Sequence, residues 1–377
     1  MTLRRSIFKA NGLEKLSSDY LPVHLPYRET HEAELLRLFT PAVLAGGTLS
    51  RTVLICGASG TGKTVTARKV ALRLQQISAE NMLKLRYVHV NCRYASSNFG
   101  LVQMLASRII PDMSTRGYGA SELLQAVYSY LDKRTDSLFL VLDDFDQFLK
   151  RHGPDTLYAL MRLPDALPEK RHRMLLLLIG IEDPSGLALE NWARSAITRT
   201  SQYFAPYSFE EIRDILNERV DESFIEGAVL GDIVLLISRI VERFGFGSAR
   251  YGIELLQASG LEAEYDGMES ISAECVRRAQ MRMENVVDLS SLSQLSSGYI
   301  MAIRAIVQAF SETERPYVPV SRILSRIDKL QSHCGDGLEC LRRLHFEGLV
   351  DQLGDEMGLV GTTLKALEDW LAKLPED

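Results

Sequence analysis

A chain of 377 residues with 46% hydrophobic and 24% charged side chains is too long for one ordinary core, and its composition predicts a globular protein of two or three domains. The formal net charge of −6 excludes a uniformly basic surface, and the longest apolar run, Met174 to Ile181, is strand-sized and far short of the roughly 20 residues of a membrane span. Arg4 and Arg5 precede no apolar segment of signal-peptide length, and five scattered cysteines (Cys56, Cys92, Cys275, Cys334 and Cys340) without zinc-site spacing are read as the reduced thiols of a cytoplasmic protein.

In chain order, an extended arm leads to a helix over Glu29 to Ala45. Arg51 to Cys56 is a short apolar strand that runs into a glycine-rich loop, and Thr64 to Gln76 reads as a helix. Leu85 to Val90 is a second strand. Helical spacing follows over Phe99 to Ile110 and Gly117 to Leu131. Leu138 to Leu142 is a continuous apolar run ending in acids, the pattern of a strand covered on both faces. Thr156 to Met161 is helical, Met174 to Ile179 is another buried strand, and Thr200 to Phe204 supplies a fifth. Strands alternating with helices predict a parallel α/β sheet. From Ser208 the pattern changes: Ser208-Phe209-Glu210-Glu211 is a capping box that opens an all-helical stretch to about Val287. A serine-rich linker, Ser290 to Ser297, precedes helix-sized pieces over Gly298 to Phe310, Val320 to Leu330 and Gly337 to Phe346. Leu349 to Leu353, a turn through Gly354 to Gly358, and Leu359 to Thr363 read as a small hairpin, so a winged helix is expected at the C-terminal end.

The loop Gly57-Ala58-Ser59-Gly60-Thr61-Gly62-Lys63-Thr64 matches G-x-x-x-x-G-K-[ST] between a strand and a helix. Its glycines let successive N–H groups turn inward around phosphates, and the helix N-terminus adds a favourable dipole. ATP or ADP is therefore the expected ligand, with Lys63 on the β and γ phosphates and Thr64 on Mg²⁺. A second acid is needed for that ion, and Asp143, at the end of Leu138-Phe139-Leu140-Val141-Leu142, is the candidate.

Two further segments carry a resemblance. Leu16-Ser17-Ser18-Asp19-Tyr20-Leu21-Pro22 with Leu25-Pro26-Tyr27-Arg28-Glu29 is similar to the leading segment of the archaeal origin-recognition ATPases. These are AAA+ replication initiators related to the eukaryotic origin recognition complex. Phe204-Ala205-Pro206-Tyr207 followed by Ile212-Arg213-Asp214-Ile215-Leu216 resembles their passage from core to lid. Gly247-Ser248-Ala249-Arg250-Tyr251-Gly252-Ile253-Glu254-Leu255-Leu256 resembles their second sensor helix. The resemblance is good over about residues 3 to 285 and holds only in outline beyond. It implies a P-loop α/β AAA+ core with the arm (1–207), an all-α lid (208–289) and a C-terminal winged helix (290–377). It also implies an adenine pocket near Leu25 and Arg28, and Arg250 as a γ-phosphate sensor. A trans-acting arginine would lie between Trp192 and Thr200, where Arg194 and Arg199 both qualify.

Two departures matter. Asp144 occupies the position where AAA+ proteins usually place the glutamate that orients the attacking water, and Glu182-Asp183 stands where the first sensor is usually Asn. A displacement of about 1 Å can cost on the order of 100-fold in rate, so slow hydrolysis is expected. The second departure concerns DNA: residues 290 to 377 carry nine Lys/Arg against thirteen Asp/Glu, a net −4, whereas duplex affinity draws mainly on neutralised phosphates. Local basic pairs remain, Arg322 with Arg326 and Arg342 with Arg343, while the hairpin tip, Asp355-Glu356, is acidic. Arg93 to Arg116 matches the family's helical insert, which can also touch DNA.

The expected function is ATP-controlled binding to double-stranded replication-origin DNA, with recruitment of the replicative helicase and of other initiator subunits in the cytoplasm, at the nucleoid. The rival reading is a nucleotide-gated interaction protein, an initiator paralogue that hardly touches DNA. A clamp-loader-type ATPase is a third option, against which the arm motif argues.

Overall fold

The structure, a computed structural model, describes residues 6–166, 174–284, 287, 297–313, 315–330 and 336–374. It forms two compact units. One comprises residues 21–206, and the other residues 6–20 together with the chain from 207 onward.

The first unit is built on a parallel sheet in the order β2-β3-β4-β1-β5. Its strands are β1 (Arg51–Cys56), β2 (Lys84–Asn91), β3 (Asp136–Asp143), β4 (Met174–Gly180) and β5 (Gln202–Tyr203). Every residue of β3 and β4 is buried, because helices cover both faces of the sheet. Successive residues then enter opposite cores. Leu138, Leu140 and Leu142 of β3 join Leu176 and Leu178 of β4 on one face. Phe139 and Val141 join Leu175, Leu177 and Ile179 on the other. The second core also contains Leu35 and Phe39 of α2 (Glu29–Leu44) and Val70 and Leu74 of α3 (Lys63–Glu80).

α3 runs a turn beyond the expected Gln76, since Gln-Ile-Ser-Ala-Glu offers no breaker before Asn81. α4 (Asn98–Ile109) and α5 (Ala120–Arg134) lie where helical spacing places them. α6 (Phe145–His152) is an element that periodicity did not reveal, being only eight residues long. α7 (Asp155–Ala166) and α8 (Asn191–Thr198) complete the unit.

The second unit holds the helical lid and the C-terminal domain. α9 (Phe209–Ser223) starts at the expected capping box, Ser208 Oγ accepting from Glu211 N and Glu211 accepting from Ser208 N. α10 (Gly231–Arg243), α11 (Ala249–Asp266) and α12 (Ala273–Met283) follow. Residues 6–20, including the short α1 (Gly12–Lys15), pack here and not with the sheet. Ile225 N donates to Ile7 O at 2.9 Å, Lys9 N to Ser223 O at 2.8 Å, and the Phe8 and Phe224 rings lie 4.7 Å apart. Ile7, Phe8 and Leu16 thereby share the lid's apolar core, which an arm assigned wholly to residues 1–207 did not anticipate.

The C-terminal domain consists of α13 (Ser297–Ser311), α14 (Val320–Leu330), α15 (Gly337–Phe346) and α16 (Leu364–Leu371) around an antiparallel sheet. Its strands are β6 (Tyr317–Pro319), β7 (Val350–Leu353) and β8 (Glu356–Leu359), in the order β6-β8-β7. The hairpin differs from the expected one. Leu353 pairs with Glu356, so the turn is only Gly354-Asp355, with Gly354 at φ 58°. The segment expected as the second strand, Leu359 to Thr363, mostly leads into α16, whose N-cap is Thr363. The linker Ser290 to Ser297 lies outside the described residues, apart from Ser297.

Lid helices and hairpin are fastened together within this unit. Arg239 of α10 grips Asp351 of β7, whose side chain is 3% exposed, through Nε at 2.9 Å. Arg243 donates to Val350 O at 2.7 Å and to His345 O. Arg277 of α12 donates through Nε to Leu359 O at 2.9 Å.

Candidate functional site

At the end of β1 the chain enters the glycine-rich loop. Gly57 takes φ 144°, and a Cβ there would lie 2.3 Å from the Phe204 carbonyl oxygen, so no side chain fits. Gly60 and Gly62 also have positive φ, 76° and 89°, conformations that glycine adopts without steric cost. The loop delivers Lys63 and Thr64 to the first turn of α3. Lys63 is buried, and its Nζ donates to the carbonyls of Gly57 and Ala58 at 2.7 and 2.6 Å. Thr61 is buried, its hydroxyl donating to Ala58 O at 2.9 Å. Ala58 and Ser59 form the outer part of the loop, with Ser59 exposed.

Arg28 supports this loop from the side. It is buried, with Nε on Thr61 O (2.9 Å), Nη1 on Tyr27 O (2.9 Å) and Nη2 on Ala205 O (2.7 Å). The sequence placed Arg28 at the nucleotide. Its guanidinium is held by three backbone carbonyls, one of them in the loop itself, which makes it a brace of the loop. Leu25 is buried beside it, and its carbonyl accepts from Arg28 N at 3.1 Å.

Thr64 Oγ1 donates to Asp143 Oδ2 at 2.9 Å, so a hydroxyl and a carboxylate stand together at the strand end. Burial pushes the Asp143 carboxyl up, but hydrogen bonds from His89, Thr64 and Asp144 N outweigh it and hold the group below the usual carboxylate range. A charged, hard-oxygen pair of this kind suits Mg²⁺, which takes few protein ligands and fills its shell with phosphate and water oxygens. Among the described residues no cluster of three His, Cys, Asp or Glu could hold a metal on its own.

Asp144 is the N-cap of α6 at φ 53°, a conformation uncommon outside glycine. Asn91 Nδ2 donates to Asp144 Oδ2 at 2.9 Å, and Arg93 Nε lies 3.0 Å from the same oxygen. Asp146, buried at 1% exposure, accepts from the N–H groups of Ile181 and Glu182 at 2.9 and 3.3 Å. Lys150 of α6 pairs with Glu182. The helix that begins at Asp144 is thus clipped to the end of β4. Asp183 turns back on its own loop: its Oδ1 accepts from Ser185 N (2.7 Å), Ser185 Oγ (2.5 Å) and Gly186 N (3.2 Å). These bonds, from Ser185 above all, lower its pKa and keep it ionised.

His89, Asn91 and Asp146 were absent from the sequence-based site. A signal for the first two existed: Tyr87, His89 and Asn91 alternate along β2 and face one way. Recognising it required knowing that β2 neighbours β3, with Asn91 paired to Asp143.

Of the two arginines considered for a trans role, Arg194 spends Nη2 on the carbonyls of Leu187 and Leu189 at 3.3 and 2.9 Å. Arg199, the C-cap of α8, is exposed. Arg250 is exposed in the first turn of α11, where a cation opposes the helix dipole and so does not serve the helix itself. Among the arginines expected at DNA, Arg322 and Arg326 both pair with Glu312. Arg343 pairs with Glu347 at 2.6 Å, and Arg342 is exposed.

Comparison with known proteins agrees with this layout. An AAA domain family matches residues 3–185, and the Cdc6 AAA+ ATPase-type lid domain family matches residues 213–281. The chain is 30% identical to ORC1-type DNA replication protein 2 of Saccharolobus solfataricus, across all of this chain and 94% of that protein. It is 28% identical to the like-named protein of Sulfolobus acidocaldarius, over 95% and 89% of the two chains. The fold is similar to that of Cdc6p from Pyrobaculum aerophilum, with TM-score 0.84, 24% identity and 98% of each chain covered. It is also similar to the Aeropyrum pernix ORC1 protein, solved in complex with DNA, with TM-score 0.66, 23% identity and 98% of each chain covered.

Proposed function

Because the chain belongs to the archaeal ORC1/Cdc6-type family of AAA+ replication initiators, we propose that it is a nucleotide-controlled, origin-binding initiator that helps to load the replicative helicase. The observation that supports this reading is a complete phosphate-binding loop braced by Arg28 and facing the Thr64–Asp143 pair. The proposal assigns ATP and ADP to the loop 57–64. Lys63 exchanges its two loop carbonyls for the β and γ phosphates. Thr64 and Asp143 hold Mg²⁺, which neutralises phosphate charge when bound. Leu25 lies against the adenine, and Arg250 senses the γ-phosphate.

Asp144 orients water for ATP + H₂O to ADP + phosphate, and Asp183, fixed in its own turn, marks the first-sensor position. Turnover well below the typical enzyme's roughly 10 per second is expected, because Asp144 is short and already engaged by Asn91 and Arg93. Arg199, rather than the occupied Arg194, acts in trans on a neighbouring subunit's nucleotide. Contacts to duplex DNA come from Arg342, Arg343, Arg322, Arg326 and Arg93, and the protein works in the cytoplasm at the nucleoid. No helix among the described residues is long and apolar enough to cross a membrane.

The second reading, a nucleotide-gated regulator with weak or no DNA binding, is favoured by one observation: Glu312 and Glu347 neutralise three of the four winged-helix arginines expected at DNA. Binding of a fluorescent ADP tests the shared premise. Lys63→Ala abolishes it if the loop is the nucleotide site, and unchanged affinity rejects the assignment.

A further inference from the structure

The polar face of β2 carries a group that none of these roles uses. His89 is largely buried, its side chain 18% exposed, and lies between two partners. Nδ1 is 2.9 Å from the Tyr87 hydroxyl, and Nε2 is 3.1 Å from Asp143 Oδ2. A carboxylate can only accept, so the ring nitrogen facing it must carry the proton. The Tyr87 hydroxyl, pushed up to about 12 by burial, stays an O–H and holds the ring's other nitrogen, Nδ1, by a hydrogen bond. The residue's backbone is pinned as well, Arg108 donating to the His89 carbonyl. The Tyr87 ring in turn stacks on Phe139 of β3 at 6.1 Å.

The Asp143 carboxylate is thus held on three sides. Oδ1 accepts from Asp144 N at 2.9 Å, while Oδ2 accepts from Thr64 Oγ1 at 2.9 Å and from His89. Removing Thr64's bond alone would leave rotation about the Cβ–Cγ bond opposed by His89 and one backbone N–H.

We infer that His89, held by Tyr87, is a positioning residue that fixes the Asp143 carboxylate in the orientation that receives the nucleotide's divalent cation. This rests on the nucleotide reading above. Partners that orient a metal ligand typically contribute about 10- to 100-fold in metal affinity, which sets the expected size of the effect.

The two conservative replacements separate the ring's two ends. His89→Gln keeps an N–H donor near the position of Nε2, and His89→Asn keeps a polar group near Nδ1 but withdraws the donor from Asp143. Binding of a fluorescent ADP to the full chain is measured across a Mg²⁺ titration and in excess EDTA. Expected is a half-saturating Mg²⁺ concentration raised about 10- to 100-fold in His89→Asn and restored towards wild type in His89→Gln, with one EDTA affinity for all three proteins. An unaltered Mg²⁺ requirement in His89→Asn overturns the inference, and so does an equal loss of affinity with and without Mg²⁺. If His89→Asn does not fold, Tyr87→Phe is read by the same criterion. A wild-type chain that binds no ADP with or without Mg²⁺ instead rejects the nucleotide reading itself.

Discussion

Arg93 Nε and Asp144 Oδ2 form an ion pair at 3.0 Å, joining a residue expected at DNA to the one expected to orient water. The arginine is 59% exposed and the aspartate 25%, and exposed pairs of this kind contribute about 0.2–1 kcal/mol. Arg93→Ala should therefore raise ATP turnover about 1.4- to 5-fold by releasing Asp144 from one of its two partners, with ADP affinity unchanged. Phosphate release measured on both proteins checks this, and a fall in rate would show that the pair supports hydrolysis.

Glu312 neutralises Arg322 and Arg326, whose hydrogen bonds hold its pKa below the usual carboxylate range, Arg326 first. Glu312→Gln frees both arginines. If they then reach phosphates, duplex affinity rises and the slope of log affinity against log salt steepens by up to about 1.8, at about 0.9 per phosphate. Anisotropy titrations at several salt concentrations measure the slope. An unchanged slope would remove these two residues from the DNA surface.

The Arg239–Asp351 pair ties the lid to the hairpin. Breaking a buried pair from one side leaves an uncompensated charge and costs about 3–5 kcal/mol. Arg243, 3.8 Å from Asp351, remains in Arg239→Ala, so the lower end, about 3 kcal/mol, is expected. The protein has two tryptophans, Trp192 in the sheet unit and Trp370, half-buried against the C-terminal core. Urea unfolding followed by Trp370 fluorescence in a Trp192→Phe background should show an earlier midpoint for Arg239→Ala. An identical midpoint would mean that the pair contributes nothing to this unit.

Residue chemistry made some of this site legible and left the rest unreadable. The loop 57–64 and Asp143 could be found from sequence because each is a contiguous pattern at a strand end, and the buried strands announce themselves by unbroken apolar runs. Arg28 was found but its bracing of the loop was not, because sequence does not show that Thr61, Tyr27 and Ala205 would turn their carbonyls towards one guanidinium. His89 and Asn91 depend on strand order, and α6, eight residues long, falls below the length at which periodicity speaks, whereas β5 lies within the strand expected over Thr200 to Phe204. Pairing of Glu312 with Arg322 and Arg326 spans ten and fourteen positions, so counting charges gave the sum of the C-terminal domain without showing which arginines were engaged. The hairpin turn was placed too wide because Gly354 and Gly358 both read as turn residues. Only Gly354 needs a positive φ, while Gly358 pairs in the sheet opposite Tyr317, where a Cβ would press within 2.7 Å of the Tyr317 ring.

The central claim is that nucleotide controls DNA binding by this chain. Anisotropy of a labelled origin duplex and of a random duplex, titrated at low salt with the wild-type protein in ATP and in ADP and with Lys63→Ala, tests it most directly. The account predicts that the wild type binds the origin duplex more tightly than the random one, with affinity that differs between ATP and ADP, and that Lys63→Ala loses the nucleotide dependence. Absence of binding to either duplex at low salt with ATP present would contradict the initiator reading and leave the nucleotide-gated regulator in its place.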